Sequence, residues 1–217
     1  MANDASLVLV GSPDVTGSIY NAPVGTTLPT SIDDAIPAAF TANKSGYVSS
    51  DGLTLTPDIS TSDINEWGGK LVRRVLESFN GTVSWTYIQT SVQELKNAWG
   101  ENNVTVTAAT AKHGTQIRVG IGQGLPERKS WLFCMKDGDA RIMIILPDAQ
   151  PTSMDDITFA SNAAIPWPVT LSCYPDEQGN CMYLLLDDGK KVAVQGGNTD
   201  TQATPASADQ PTALNAA

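Results

Sequence analysis

The sequence predicts an all-β chain, a β-sandwich or barrel with one flanking helix. Three observations lead there. The charged fraction is low at 17% while Gly, Pro, Thr and Ser are plentiful, which suits many turns and short strands. Across the middle of the chain, short apolar or alternating segments recur between clusters of Gly, Asn, Asp and Pro, the spacing of sandwich and barrel strands. Only one stretch carries a clear helical period. At 217 residues the chain can hold one sizeable core, so one main domain is expected.

In chain order, residues 1–30 read as an extended N-terminal arm. Its stretch Gly17-Ser-Ile-Tyr-Asn-Ala-Pro-Val-Gly-Thr-Thr-Leu-Pro-Thr30 has an extended composition, yet it carries Ile19, Tyr20, Val24 and Leu28, which need cover. Residues 31–195 read as the β domain. Alternation and β-branched content predict strands over 46–49, 53–57, 70–79, 82–89, 105–109, 116–120, 130–136, 140–146, 154–160, 169–174 and 182–186, with a last short strand at 191–194. Phe79-Asn-Gly81, Lys136-Asp-Gly138 and Asp187-Asp-Gly189 have the chemistry of hairpin turns or strand ends. The helix is Ser91-Val-Gln-Glu-Leu-Lys-Asn-Ala-Trp-Gly100: Ser91 and Glu94 match a capping box, Val92, Leu95 and Trp99 share a face, and Gly100 supplies the stop. Residues 196–217 lack aromatic residues and are rich in Ala, Thr, Gln, Asp and Pro. Too little apolar surface remains there to offset chain entropy, so this tail is expected to be disordered.

Charge narrows the function. Thirteen basic against 23 acidic residues give a net charge of -10, which argues against a surface built to neutralise nucleic-acid phosphates. The charges are also segregated. Residues 1–69 hold one Lys against eight acids, residues 70–145 ten basic against six acidic, and residues 146–189 seven acids with no base. One copy's acidic segment could therefore meet another copy's basic middle. Leu7-Val-Leu-Val10 is short and has no basic residue before it, a poor match to a signal peptide, and no stretch approaches the roughly 20 apolar residues that span a bilayer. A soluble protein made in the cytoplasm is expected. The odd number of cysteines, Cys134, Cys173 and Cys181, suits reduced thiols in that setting; Cys173 and Cys181 flank a turn and could face each other.

The residues for catalysis are sparse. His113 is the single histidine, in a turn-like stretch with no Gly-x-Ser-x-Gly elbow, and Cys134 and Cys173 lie among apolar neighbours. A solvated loop histidine is the plainer explanation. Gly120-Ile-Gly-Gln-Gly124 is followed by Leu-Pro-Glu-Arg-Lys instead of a helix, so neither a phosphate loop nor a dinucleotide fingerprint is completed. Asp33-Asp34, Asp155-Asp156 and Asp187-Asp188 are adjacent pairs, which point to opposite faces of a strand. No metal, cofactor or enzyme activity is expected, and function should reside in surfaces.

Two segments suggest such surfaces. Read with strict alternation, Lys70-Leu-Val-Arg-Arg-Val-Leu-Glu-Ser-Phe79 puts Leu71, Arg73, Val75, Glu77 and Phe79 on one side and Lys70, Val72, Arg74, Leu76 and Ser78 on the other. Neither side is cleanly polar, so either Arg73 and Arg74 snorkel from an ordinary strand or a mixed face meets another protein. Thr61-Ser-Asp-Ile-Asn-Glu-Trp-Gly-Gly69 is a polar loop carrying Trp67, either a core plug or an interlocking anchor.

Gly17-Ser-Ile-Tyr-x-Ala-Pro-x-Gly-Thr-Thr-x-Pro-Thr30, Ala38-Ala-Phe40, Gly46-Tyr-Val-Ser49-x-Asp-Gly-Leu53, Ile64-x-x-Trp-Gly-Gly69, the 86–99 region and Asn102-Asn-Val-Thr105 together resemble the major tail proteins of long-tailed, non-contractile bacteriophages, especially those of actinobacteria. The resemblance spans residues 15–190. It implies a tail tube β-sandwich with a flanking helix, assembling as stacked hexameric rings around a lumen through which the genome is delivered to the host bacterium. By the same resemblance a terminal arm and a stacking loop around 51–69 lock successive rings, and Ile19, Tyr20, Leu28, Trp67, Arg73 and Arg74 fall at inter-subunit interfaces. The implied partners are other copies of the chain, a tape measure protein in the lumen, terminator and distal tail proteins at the ends, and DNA in passage without specific binding. No membrane insertion and no cofactor are implied, and the location is the virion tail. An added immunoglobulin-like C-terminal domain, present in some relatives, is not expected here. Two other classes compete: a monomeric β-sandwich binding module, an adhesin or ligand carrier, and a small hydrolase dependent on His113.

Overall fold

The computed structural model describes residues 4–15 and 18–191. Gly17, most of the last short strand expected at 191–194, and the tail from 196 onward lie outside the described residues. What is described is mainly antiparallel β. The strands are β1 (Ser12–Pro13), β2 (Ile19–Pro23), β3 (Val48–Asn65), β4 (Leu71–Tyr87), β5 (Val104–Thr107), β6 (Gln116–Val119), β7 (Lys129–Asp137), β8 (Ala140–Ser153), β9 (Trp167–Cys173) and β10 (Tyr183–Asp187). Helices α1 (Ala38–Thr41) and α2 (Val92–Trp99) flank them.

One sheet runs β1-β7-β8-β9-β4-β3, and β5 with β6 forms a separate pair. β2 lies along the same edge of β7 as β1, and β10 along the same edge of β8 as β9. The sheet curls on itself. Trp85 of β4 meets Trp131 and Phe133 of β7 with ring centroids 5.5 and 5.3 Å apart, although β8 and β9 lie between those strands in the ladder. The Ser45 N–H donates to the Ile19 carbonyl at 2.9 Å and Tyr20 bridges Lys44, so the chain leading into β3 also touches the far edge.

The β7 run Trp131-Leu-Phe-Cys134 is apolar throughout because both its faces are covered. Trp131 and Phe133 join Val83, Trp85, Tyr87, Val169 and Leu171 inside the curl. Leu132 and Cys134, on the reverse, pack with Tyr20, Phe40, Met143 and Ile145, and Leu28, Ile32 and Ile36 close over them. Segment 24–41 is thus a lid on the second face of β7–β8.

Several expectations change. Ile19 and Tyr20 are 6% exposed in a strand paired with β7, so the arm is largely built into its own domain. The reason is nonlocal: Ile19 and Tyr20 point to opposite faces of β2, and each face already has a core waiting. Phe79-Asn-Gly81 is not a turn but runs straight through β4. Pro57, Asp58 and Ile59 of β3 pair across from Gly81, Asn80 and Phe79, and this ladder holds the segment extended. The segment expected as a strand at 154–160 has no ladder partner and forms an exposed loop. The Lys136-Asp-Gly138 signal does close a hairpin, between β7 and β8.

In α2 the capping box is redirected. Ser91 is the N-cap, but its hydroxyl makes no bond to the helix backbone; it donates to Glu94, whose carboxylate also accepts the Gly46 N–H. Glu94 therefore ties the helix to the entry of β3. On the same buried face, Asn97 accepts from the Asn21 amide at 2.8 Å and donates to Ser45 Oγ at 3.0 Å and to the Tyr87 hydroxyl at 3.2 Å. This network joins β2, the β3 entry, β4 and α2.

Candidate functional site

β3 and β4 outgrow the sheet. β4 pairs with β9 only from Thr82 to Tyr87, so the 58–65 and 71–80 segments pair with each other and with no other strand. Eight paired residues of β3 at about 3.3 Å each carry this ribbon about 25 Å past the sheet. Its tip is a turn over 66–69 in which the Gly69 N–H donates to the Glu66 carbonyl at 2.8 Å; Gly69 has φ +86°, where a side chain is strained.

Register decides what each face of the ribbon shows. β3 is unbulged here, so its odd residues continue the core side on which Leu53 and Leu55 pack. Opposite Ile59, Thr61, Asp63 and Asn65 stand Phe79, Leu76, Arg74 and Leu71. The core face therefore runs on beyond the domain as a stripe of Ile59, Phe79, Leu76 and Leu71, all exposed. The opposite face shows Ser60 with Ser78, Ser62 with Val75, and Ile64 with Arg73. Strict alternation missed this stripe. Register shifts leave Glu77 and Val72 as extra residues on β4, and each bulge reverses the alternation beyond it.

The sequence-predicted residues fall in two groups. Trp67, Arg73 and Arg74 are brought together on the ribbon, with the Trp67 side chain fully exposed at the tip. Arg74 forms a fork to Asp63, at 2.7 and 3.1 Å, and this hydrogen bonding holds the Asp63 carboxyl below its usual range. Arg73 makes no ion pair among the described residues. Ile19 and Tyr20 belong to the core, and Leu28 to the lid over it, leaving them little surface for a neighbour.

An isolated two-stranded ribbon is marginal in water, and this one leaves Ile59, Leu71, Leu76 and Phe79 without cover from its own chain. The rest of the molecule offers little chemistry by comparison. His113 is half-buried, its ring nitrogen paired with the Gly114 carbonyl. The three cysteines are free thiols; burial pushes Cys134 up to about 11 and Cys173 up to about 12, the opposite of an activated nucleophile. A cleft of about 410 Å³ between Gly11–Val15, Ser18, Ile19, the start of β3 and β7 has Asp14 as its one charged residue among those described, and that carboxylate pairs with Lys136. No group of three metal-ligating side chains gathers among the described residues, and no helix described is long and apolar enough to cross a membrane.

Among solved structures, the chain is similar to that of the anti-feeding prophage cap (AFP tube terminating cap), a cryo-EM structure, at 13% identity and a TM-score of 0.41, over 86% of this chain and 100% of that one. A likeness this remote leaves the assignment to the sequence. No curated protein matches. Residues 1–195 match the family model described as phage tail tube protein, and with nine-tenths of its length inside that match the chain belongs to the phage tail tube protein family.

Proposed function

We propose that this structural protein of the phage tail assembles into stacked hexameric rings that form the tube for genome delivery, with the β3–β4 ribbon as the element joining subunits. The observation that carries the reading is the continuation of the core face past the domain as Ile59, Leu71, Leu76 and Phe79 without cover from its own chain. A neighbouring copy supplies that cover, and the six-fold closure comes from the family resemblance.

The reading also selects a channel wall. On the solvent side of the sheet, Thr54, Ser84 and Thr170 lie in one row across β3, β4 and β9, and Thr56, Thr82 and Ser172 in the next. Short neutral hydroxyls without a Lys or Arg offer passing phosphates no positive charge to hold them, which suits transit of DNA. The tape measure protein would occupy the same channel during assembly, with terminator and distal tail proteins at the tube ends.

Electron microscopy of the purified, concentrated protein tests this. Rings or tubes with a central channel and countable symmetry are expected. A compact monomer that stays monomeric, even with a tail initiator added, would point instead to a binding module.

A further inference from the structure

We propose that the apolar cleft beside β1 is a docking site for the chain's own Val192-Ala-Val194, which folds back across the β7–β8 turn to fill it. These three residues lie outside the described ones. The cleft, about 410 Å³ in volume, is lined by Ile19, Leu53, Phe133 and Met135, with Gly11 and Pro13 from the N-terminal segment. Its one charged residue among those described, Asp14, is already paired with Lys136 at 3.2 Å. Such a lining suits an apolar, uncharged occupant.

The end of the described chain is already directed at this cleft. Ser12, Lys136, Arg141 and Asp187 stand in one row across β1, β7, β8 and β10, so the end of β10 lies three ladder steps, about 14 Å, from β1. Gly189 passes directly against the β7–β8 turn. A Cβ there would sit 2.7 Å from the Asp139 carbonyl carbon, and φ is +71°, so only glycine makes this crossing without strain. Lys190 Nζ then reaches Asp4 at 2.8 Å, and the Val10 N–H donates to Asp137 of the same turn at 2.9 Å. The chain is therefore heading from β10 toward the segment that walls the cleft. Five to seven residues beyond Asp187 reach at most about 17 to 23 Å, enough to carry Val192–Val194 over β1 even with the turn at Gly189.

The face of the sheet agrees with this route. Leu184 and Leu186 pair with Ile144 and Ile142, which pair in turn with Phe133 and Met135, so these side chains share the face that lines the cleft. Leu184 and Leu186 are exposed, and they extend an apolar track from β10 to the cleft. The chemistry of the segment agrees as well. From 192 to 199 the chain carries no charge, and Val192 and Val194 are the only Val or Ile residues after Lys191. Because the segment is tethered beside the cleft, it competes there at a high effective concentration with any free occupant.

Backbone amide exchange in the unassembled protein tests this, read over 11–15 and 47–53, which wall the cleft. Ending the chain after Lys191 is expected to speed exchange there by about tenfold, whereas ending it after Gly197 leaves exchange within about twofold of wild type. Val192→Asp/Val194→Asp in the full-length chain should match the shorter truncation, and it decides the matter if that truncation does not fold. Wild-type exchange in the double variant overturns the docking, as does equal loss of protection on ending the chain after Gly197. As a second measurement, Tyr47→Cys/Val194→Cys protein treated with a short bifunctional maleimide should gain a link between positions 47 and 194 of one chain that neither single variant gives. No link, or a link found only between chains, also refutes the docking, the latter because a second copy would then fill the cleft. None of these readouts depends on tube formation.

Discussion

Replacing Leu71 and Leu76 together by threonine separates what the ribbon does for folding from what it does for assembly. Threonine, being β-branched, favours extended backbone while removing most of the apolar side chain. Leu71 is 47% exposed and Leu76 62% exposed, so about half of each remains to be buried by a partner. Full burial of a leucine contributes about 1.5–3 kcal/mol, and the exposed half therefore about 1 kcal/mol per residue. The pair should weaken each subunit contact by about 2 kcal/mol, which corresponds to about a 30-fold rise in the concentration needed for assembly. Stability of the unassembled chain should change by less than about 0.5 kcal/mol, as for other surface substitutions. Sedimentation of assembled protein against total concentration gives the first quantity, and urea unfolding of unassembled protein the second. An assembly threshold within about twofold of wild type refutes the reasoning. So does a loss of more than about 1 kcal/mol in the unassembled chain, because the stripe would then belong to the chain's own core.

Three further outcomes follow from the same structure. Trp67→Ala removes an indole that touches nothing in its own chain, so circular dichroism and urea midpoint should stay at wild-type values while tubes disappear from micrographs. Asn97→Ala leaves the buried Asn21 amide without its acceptor and takes one donor from the Ser45–Tyr87 hydroxyl pair, whose own 2.8 Å hydrogen bond remains; a buried polar group left unpaired costs about 1–3 kcal/mol, so the urea-derived stability should drop by about 2 kcal/mol at unchanged slope. A drop below about 1 kcal/mol would mean that the network is not a structural tie. Stability should also fall in alkali. Burial raises Cys134 to about 11, and Cys173 and Tyr87 to about 12, so above pH 9 the folded state holds protons that the unfolded chain releases. The slope of unfolding free energy with pH is then negative; the contribution is intact below pH 9 and is lost as pH climbs toward 12. A urea midpoint flat from pH 8.5 to 10.5 would contradict it.

The ribbon also explains why folding and assembly can be tuned apart. Its strands make no contribution to the two packed clusters beyond Gly81 and Pro57, whereas the closure of the curl depends on β2 and on the network around Asn97. Substitutions on the ribbon therefore act on contacts between copies, and substitutions around Asn97 act on the fold itself. The hydroxyl rows of β3, β4 and β9 belong to neither group, and exchanging Thr for Ser there should leave both properties unchanged.

Local signals in the sequence determined the all-β class, the helix at 92–99 and the β7–β8 turn. Each of these depends on side-chain period or turn chemistry within a few residues, so composition and spacing carry them. What only the tertiary structure decided was pairing across long separations. Whether Ile19 and Tyr20 face a neighbour or their own core depends on β7, more than a hundred residues away. Whether Phe79-Asn-Gly81 turns or continues depends on Pro57–Ile59 of β3 pairing across it, and where Glu94 spends its carboxylate depends on Gly46. The apolar stripe belongs to the same class: its residues are all visible in the sequence, but two bulges, set by how β3 and β4 fit together, put them on one face.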